Sequence, residues 1–378
     1  MGIRHHLATP GADVVAVVGD LVALHSSDPG TVFLSAQARV DGFRRQDLET
    51  ALYDERSLVR MHGMRRTLFV FPAAWAETVN DACTRTYLAA ERTRLVGYLE
   101  SQGLANDGEA WLDDVALRAL ESIGRRGAAT AAEIKEDVPE FGLKLHLGEG
   151  KSWGGSFGVS TRILFLLATA GKILRGRPRG SWLSSQYQWV VTAQWLGFDL
   201  EHGDERLARA NLLGRWLGPF GPATEIDVRW WTGWTAARTR TALRDIGAVK
   251  VELNGGEGYV HPDDQDQQPT TEPWAALLPA LDPTVMGWKE RHWYVGEHGA
   301  RLFDRNGNAG PTIWWSGKVV GGWAQTPDGS VAIELLEDLG REATQAIENR
   351  AHCLEQWLGT HRPIPRFRTP LEKGLTKS

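Results

Sequence analysis

Nine arginines in three groups are the residues of this 378-residue chain whose type and spacing speak most directly of chemistry. Arg60, Arg65 and Arg66 rim one turn. Arg175, Arg177 and Arg179 fall within five positions on another. Arg238, Arg240 and Arg244 lie along one side of a helical segment. A guanidinium presents a planar fork of donors that matches the oxygens of a phosphate, so the chemistry implied is contact with a nucleic-acid backbone. The plain alternative is a set of solvated charged loops. A formal net charge of −5 gives no global attraction to DNA, so any phosphate-binding surface must be local. Other chemistries fit less well. Cys83 and Cys353 are the only cysteines, which argues against a disulfide scaffold or a thiolate zinc site, and the 11 histidines show no metal-ligand spacing. The glycine-rich stretch Gly148 to Gly158 lacks the Gly-Lys-Ser/Thr ending of a phosphate loop. No metal or cofactor is expected.

The elements that must carry the arginines are clearest from Asp204 to Asp264. Leu207, Leu212, Leu213, Trp216 and Leu217 mark an apolar stripe on a first helix, stopped by Gly218-Pro219 and Gly221-Pro222. Thr224 reads as the N-cap of a short second helix and Thr235 as the opening of a third, which bears the arginines. After Gly247 the period becomes two, and Gly255-Gly256 turns a hairpin. Helix, helix, basic helix, hairpin is the order of a winged helix. The plan recurs. Gly127-Ala128-Ala129-Thr130 echoes Gly221-Pro222-Ala223-Thr224, and a hairpin bearing Arg175, Arg177 and Arg179 follows a helix from Ser160 to Ala170. Earlier still, helices at Val14–Leu24, Thr31–Val40 and Arg44–Tyr53 precede a hairpin from Leu58 to Phe71, with Asp28-Pro29 breaking the first from the second.

The fold expected is therefore α+β, with tandem winged-helix units and a small antiparallel β-barrel. Unit 1 spans 1–72, a helical connector 73–109, unit 2 110–198 and unit 3 199–264. Residues 265–378 would form the barrel, because Asn306-Gly307 and Asp328-Gly329 turns separate aromatic and β-branched runs. Within this stretch Leu302-Phe303 counts as one of the runs. A closing helix follows from Arg341 to Leu358, and the basic tail beyond Thr360 is expected to be loose. Pro262 to Pro273 reads as a linker. Most of the 17 tryptophans are expected to pack the small modules. With no apolar h-region and no run long enough to span a bilayer, the expectation is a cytoplasmic, nucleoid-associated monomer with double-stranded DNA as partner.

Several stretches together resemble the AlkZ-like (YcaQ-like) winged-helix DNA glycosylases over nearly the whole chain. They are Leu24-His25-Ser26-Ser27-Asp28-Pro29, Met64-Arg65-Arg66-Thr67-Leu68, Gly221-Pro222-Ala223-Thr224 with Trp230-Trp231-Thr232-Gly233, and Leu281-Asp282-Pro283 with Met286-Gly287-Trp288. The resemblance implies hydrolysis of the N-glycosidic bond of alkylated purines, and some family members protect antibiotic producers from their own DNA-alkylating products. It also implies a catalytic Gln-x-Gln or Gln-x-Asp at the end of the first long helix. This chain departs from that pattern and places His25 and Ser27 there. An N7-alkylated purine already carries positive charge, so the site must mainly place a water and tolerate charge on the sugar. A neutral histidine can accept a hydrogen bond from water and a serine hydroxyl can hold it. The alternative for His25 is a helix-end histidine that caps or packs. Beside the glycosylase stand two further readings: a non-catalytic regulator or lesion sensor on DNA, and a protein-interaction scaffold.

Overall fold

In the computed structural model, Glu205–Phe220, Glu225–Thr232 and Ala236–Asp245 are helices, and Val249–Leu253 pairs with Gly256–Val260 as an antiparallel hairpin, in the order expected. Local chemistry sets each boundary. The Thr224 hydroxyl accepts from the Asp227 N–H while the Asp227 carboxylate accepts from the Thr224 N–H, closing a capping box. Gly233, at φ 78°, takes the left-handed conformation that ends this helix. Thr235 then caps the third helix through the Arg238 N–H. Indole stacking of Trp216 on Trp231, 5.2 Å between centroids, locks the first helix to the second.

The same plan runs through Gly108–Arg126, Ala131–Asp137, Val159–Thr169 and the hairpin Ile173–Pro178 with Tyr187–Val191. Thr130 and Glu133 repeat the capping box. Both echoed tetrads lie between a first and a second helix, and in each the alanine bridges to the returning hairpin strand. Ala129 pairs with Trp189, and Ala223 with Tyr259. The sequence echo thus reports a shared backbone.

Residues 1–148, 150, 154–264 and 269–377 are described by the structure, and the chain divides into two units. The first is assembled from Met1–Ala51, Phe69–Pro72 and Ala210–Ser378, the second from Leu52–Leu68 and Ala73–Arg209. Leu112, Val115, Ile123, Ile163 and Trp189 share the core of the second unit. There Gly155–Gly158, the end of the glycine-rich stretch, pairs with Lys144–Leu147. Residues 149 and 151–153 of that stretch, and 265–268 of the expected linker, lie outside the described residues.

Within the first unit the structure corrects several expectations. The first helix, capped by the Asp13 carboxylate, ends at Asp20 rather than Leu24. Val22 is left-handed at φ 66°, a conformation no helix continues through, and Leu24–His25 form a short strand against Phe69 and Val70. Asp28-Pro29 begins the next helix, Pro29–Gln37, with Asp28 as N-cap and proline at its first turn. The expected barrel is an open four-stranded antiparallel sheet, in the order Ala275–Leu278, Thr312–Trp315, Lys318–Gln325, Val331–Leu335. The first and last strands stay at opposite edges, and the run through Leu302 forms short helices, His292–Val295 and Gly299–Leu302, instead of strands.

The helix Gly340–Leu358 buries Ala343, Ile347, Ala351 and Leu354 as its spacing requires. The tail beyond it is anchored, not loose. Thr369 caps a last helix, Pro370–Leu375, whose Leu371 is buried. A Cβ at Gly322 would meet the end of the Leu371 side chain at 2.6 Å, so the tail packs closely on the sheet there.

Candidate functional site

His25 reaches its place because the short strand puts it opposite Phe69, and the two rings meet edge to face at 4.8 Å between centroids. Only 7% of His25 remains exposed. The Ser27 backbone N–H donates to His25 Nδ1 at 3.4 Å, the long end of such bonds. That contact makes Nδ1 the acceptor and assigns the proton of a neutral ring to Nε2. A strand-to-helix turn, then, and not a helix end, brings His25 and Ser27 together. Asp28 follows at once. Its carboxylate accepts from the Gly30 N–H at 3.1 Å and the Arg366 N–H at 3.0 Å. Burial raises its pKa above the usual carboxylate value, against the pull of those two N–H groups.

The helix behind this turn is fixed by a buried polar network that local sequence did not reveal. Arg39 and Asp282 form a two-pronged ion pair at 2.7 and 2.8 Å, with both side chains fully buried. The same Asp282 accepts from the Ser35 hydroxyl at 2.7 Å, and the Thr31 hydroxyl donates to the Ala280 carbonyl at 2.9 Å. Arg39 also donates to Thr284 Oγ1 at 2.8 Å. His5 completes the network, with Nε2 on the Pro219 carbonyl and Nδ1 on Thr284. A carbonyl only accepts, so Nε2 donates and Nδ1 accepts from the threonine hydroxyl. Burial, with Arg39 among the lesser causes, drives the His5 pKa well below its ordinary value and keeps the ring neutral. The Leu281-Asp282-Pro283 motif is therefore the anchor of the turn that carries His25 and Ser27.

The arginines divide into buried and exposed. In the second unit Arg60 is 2% exposed, bonded to the Tyr53 hydroxyl at 2.7 Å and placed over the Tyr187 ring. It faces the interior instead of rimming a turn. Arg175 is its register partner on the neighbouring strand, half-buried over Trp189 at 3.8 Å, so it too is off the turn. Arg177 and Arg179 are exposed, Arg177 paired with Asp54 at 3.0 Å and Arg179 with Glu133. Arg65 is half-buried, and its exposed neighbour Arg66 pairs with Glu91 at 2.7 Å. In the first unit Arg238 is half-buried, while Arg240 is exposed and pairs with Glu225 at 3.2 Å. Among the described residues no cluster of His, Cys, Asp and Glu could hold a metal ion, and no helix is long and apolar enough to cross a membrane.

These features define an α+β protein in which a three-helix-and-hairpin plan recurs and a buried ion pair holds a strand-to-helix turn. The chain belongs to the DNA glycosylase AlkZ-like family, whose description matches residues 18–357. Among solved structures it is similar to the DNA glycosylase AlkZ of Streptomyces sahachiroi, with 19% identity, 96% of each chain covered and a TM-score of 0.72. At that identity the likeness is one of fold. No curated protein matches the sequence.

Proposed function

We propose that the protein is a monofunctional DNA glycosylase that hydrolyses the N-glycosidic bond of N7-alkylated purines. The observation that carries this reading is family membership over residues 18–357, with His25 and Ser27 brought together on one turn. Water oxygen attacks the sugar C1′, the bond to the purine nitrogen breaks, and its electron pair neutralises the cationic base. The water proton passes to His25 Nδ1. The long 3.4 Å contact from the Ser27 N–H is weak, so a water that replaces it at Nδ1 displaces little. The Ser27 hydroxyl holds the same water. The test is release of free base from a duplex carrying N7-methylguanine by the purified protein, measured as single-turnover product.

The second reading, a non-catalytic DNA-binding protein, is favoured by the 7% exposure of His25, which leaves a lesion little of the ring to reach. Duplex binding without base release in that assay would establish it.

In either case we read the repeated units as winged helices that grip duplex backbone through their exposed arginines. Arg66, Arg177, Arg179 and Arg240 each hold a carboxylate partner. The pair of Arg177 with Asp54, exposed on both sides, is worth only about 0–1 kcal/mol, so a phosphate can displace that carboxylate. Arg177→Ala with Arg179→Ala is expected to weaken duplex affinity and flatten the plot of log affinity against log salt by about one unit per lost contact. An unchanged slope would return both residues to the solvated-loop reading. Arg60, which is buried, and Arg175, which is half-buried on Trp189, are left out of this set.

A further inference from the structure

Arg175 stands apart from its neighbours. Arg177 and Arg179 each face a carboxylate, whereas among the described residues none pairs with Arg175. Its Nε is buried without a hydrogen-bond partner. Burial depresses its pKa to about 10, with Arg60 adding a like charge. The guanidinium borders a cavity of ≈ 530 Å³, within the roughly 300–1,000 Å³ in which small ligands are usually held. On the same cavity lie the half-buried ring of Phe165, the polar side chains of Thr130, Thr161 and Gln186, and His62. His62 meets Phe165 edge-on at 5.2 Å and is pushed down to about 4 by burial and by Arg175, so it adds no charge near neutral pH. The carboxylate beside Thr130, Glu133, is already bonded to Thr130 and Arg179.

A cation held in a cavity without a counter-charge is costly until an anion arrives. Phosphate suits the guanidinium fork best. The cavity, however, is far larger than a phosphate needs, and its open aromatic wall suits a flat ring. We infer that the second unit holds a nucleotide-binding pocket in which Arg175 takes the phosphate, Phe165 stacks the base, and Gln186 with Thr161 meets its polar edge. The inference does not rest on base-release chemistry at His25. It leaves two sources for one ligand chemistry, a free nucleotide or the phosphorylated end of a DNA strand.

Calorimetric titration of the full chain tests it, with dGMP, deoxyguanosine, inorganic phosphate, and a single-stranded oligonucleotide with and without a 5′ phosphate. We expect saturable dGMP binding, with deoxyguanosine and phosphate each weaker by about tenfold or more, the loss expected when one of two binding groups is missing. Arg175→Met should weaken dGMP binding by a similar factor. Because that change touches the Trp189 stack, Thr161→Trp supplies a second variant. Thr161 is exposed at the cavity, and an indole there obstructs it without replacing a core residue. Preference for dGMP supports a free nucleotide, and preference for the 5′-phosphorylated oligonucleotide supports a strand end. Failure of both ligands to bind, equal affinity for phosphate alone, or dGMP binding unchanged in Thr161→Trp overturns the pocket.

Discussion

His25→Ala is expected to lower release of alkylated base by about 10²-fold or more, the usual worth of a positioned general base. Binding of the same duplex should stay close to wild type, because His25 is buried against Phe69 and belongs to none of the arginine groups. His25→Gln restores a side-chain carbonyl acceptor of the kind that the family's glutamine supplies, and should recover part of the rate. If His25→Ala turns over as fast as wild type, the water is held elsewhere. His25→Ala also removes the acceptor of the Ser27 N–H, so equal losses in binding and rate would instead indicate a damaged fold.

The largest effect on stability is expected at Asp282. Asp282→Ala leaves the Arg39 guanidinium fully buried without its carboxylate, and it strips the acceptor from Ser35 as well. Removing one partner of a buried pair typically costs about 3–5 kcal/mol. Replacing both partners with apolar residues, Arg39→Met with Asp282→Leu, removes the stranded charge and should cost less than Asp282→Ala alone. Thermal and denaturant unfolding of the two variants decides the matter. A loss below about 1 kcal/mol for Asp282→Ala would mean that water reaches Arg39 and that the pair does not anchor the helix.

Much of the local plan was legible because its causes are local. Thr130 and Thr224 cap helices with carboxylates three residues on, and that chemistry is written in adjacent positions. The apolar spacing of the helix Gly340–Leu358 was equally readable. Closure of the C-terminal sheet was not, because turn signals locate strands without saying which strand meets which. Nor did spacing distinguish Arg175 from Arg177. Both belong to the strand Ile173–Pro178, but an irregularity in its pairing with Tyr187–Val191 falls between Arg175 and Pro178. Arg175 therefore rests on Trp189 while Arg177 reaches solvent. The partner of Arg39 was hidden by distance, 243 positions along the chain. The short strand at His25 was hidden for a related reason, since a two-residue strand exists only through its pairing with Phe69 and Val70.

The interleaving of the first unit bears on how the chain acquires its structure during synthesis. Every residue of the second unit, Leu52–Leu68 and Ala73–Arg209, leaves the ribosome before the first unit's largest segment has been made. The second unit is thus free to fold early and alone. The N-terminal segment must wait. With Asp282 coming 243 positions after Arg39, elongation at ~5–20 residues per second imposes a delay of roughly 12–50 s. Throughout that interval Arg39 and the turn bearing His25 and Ser27 lack the loop that orders them. A chain released early would carry the whole second unit while the turn bearing His25 and Ser27 stayed without its anchor.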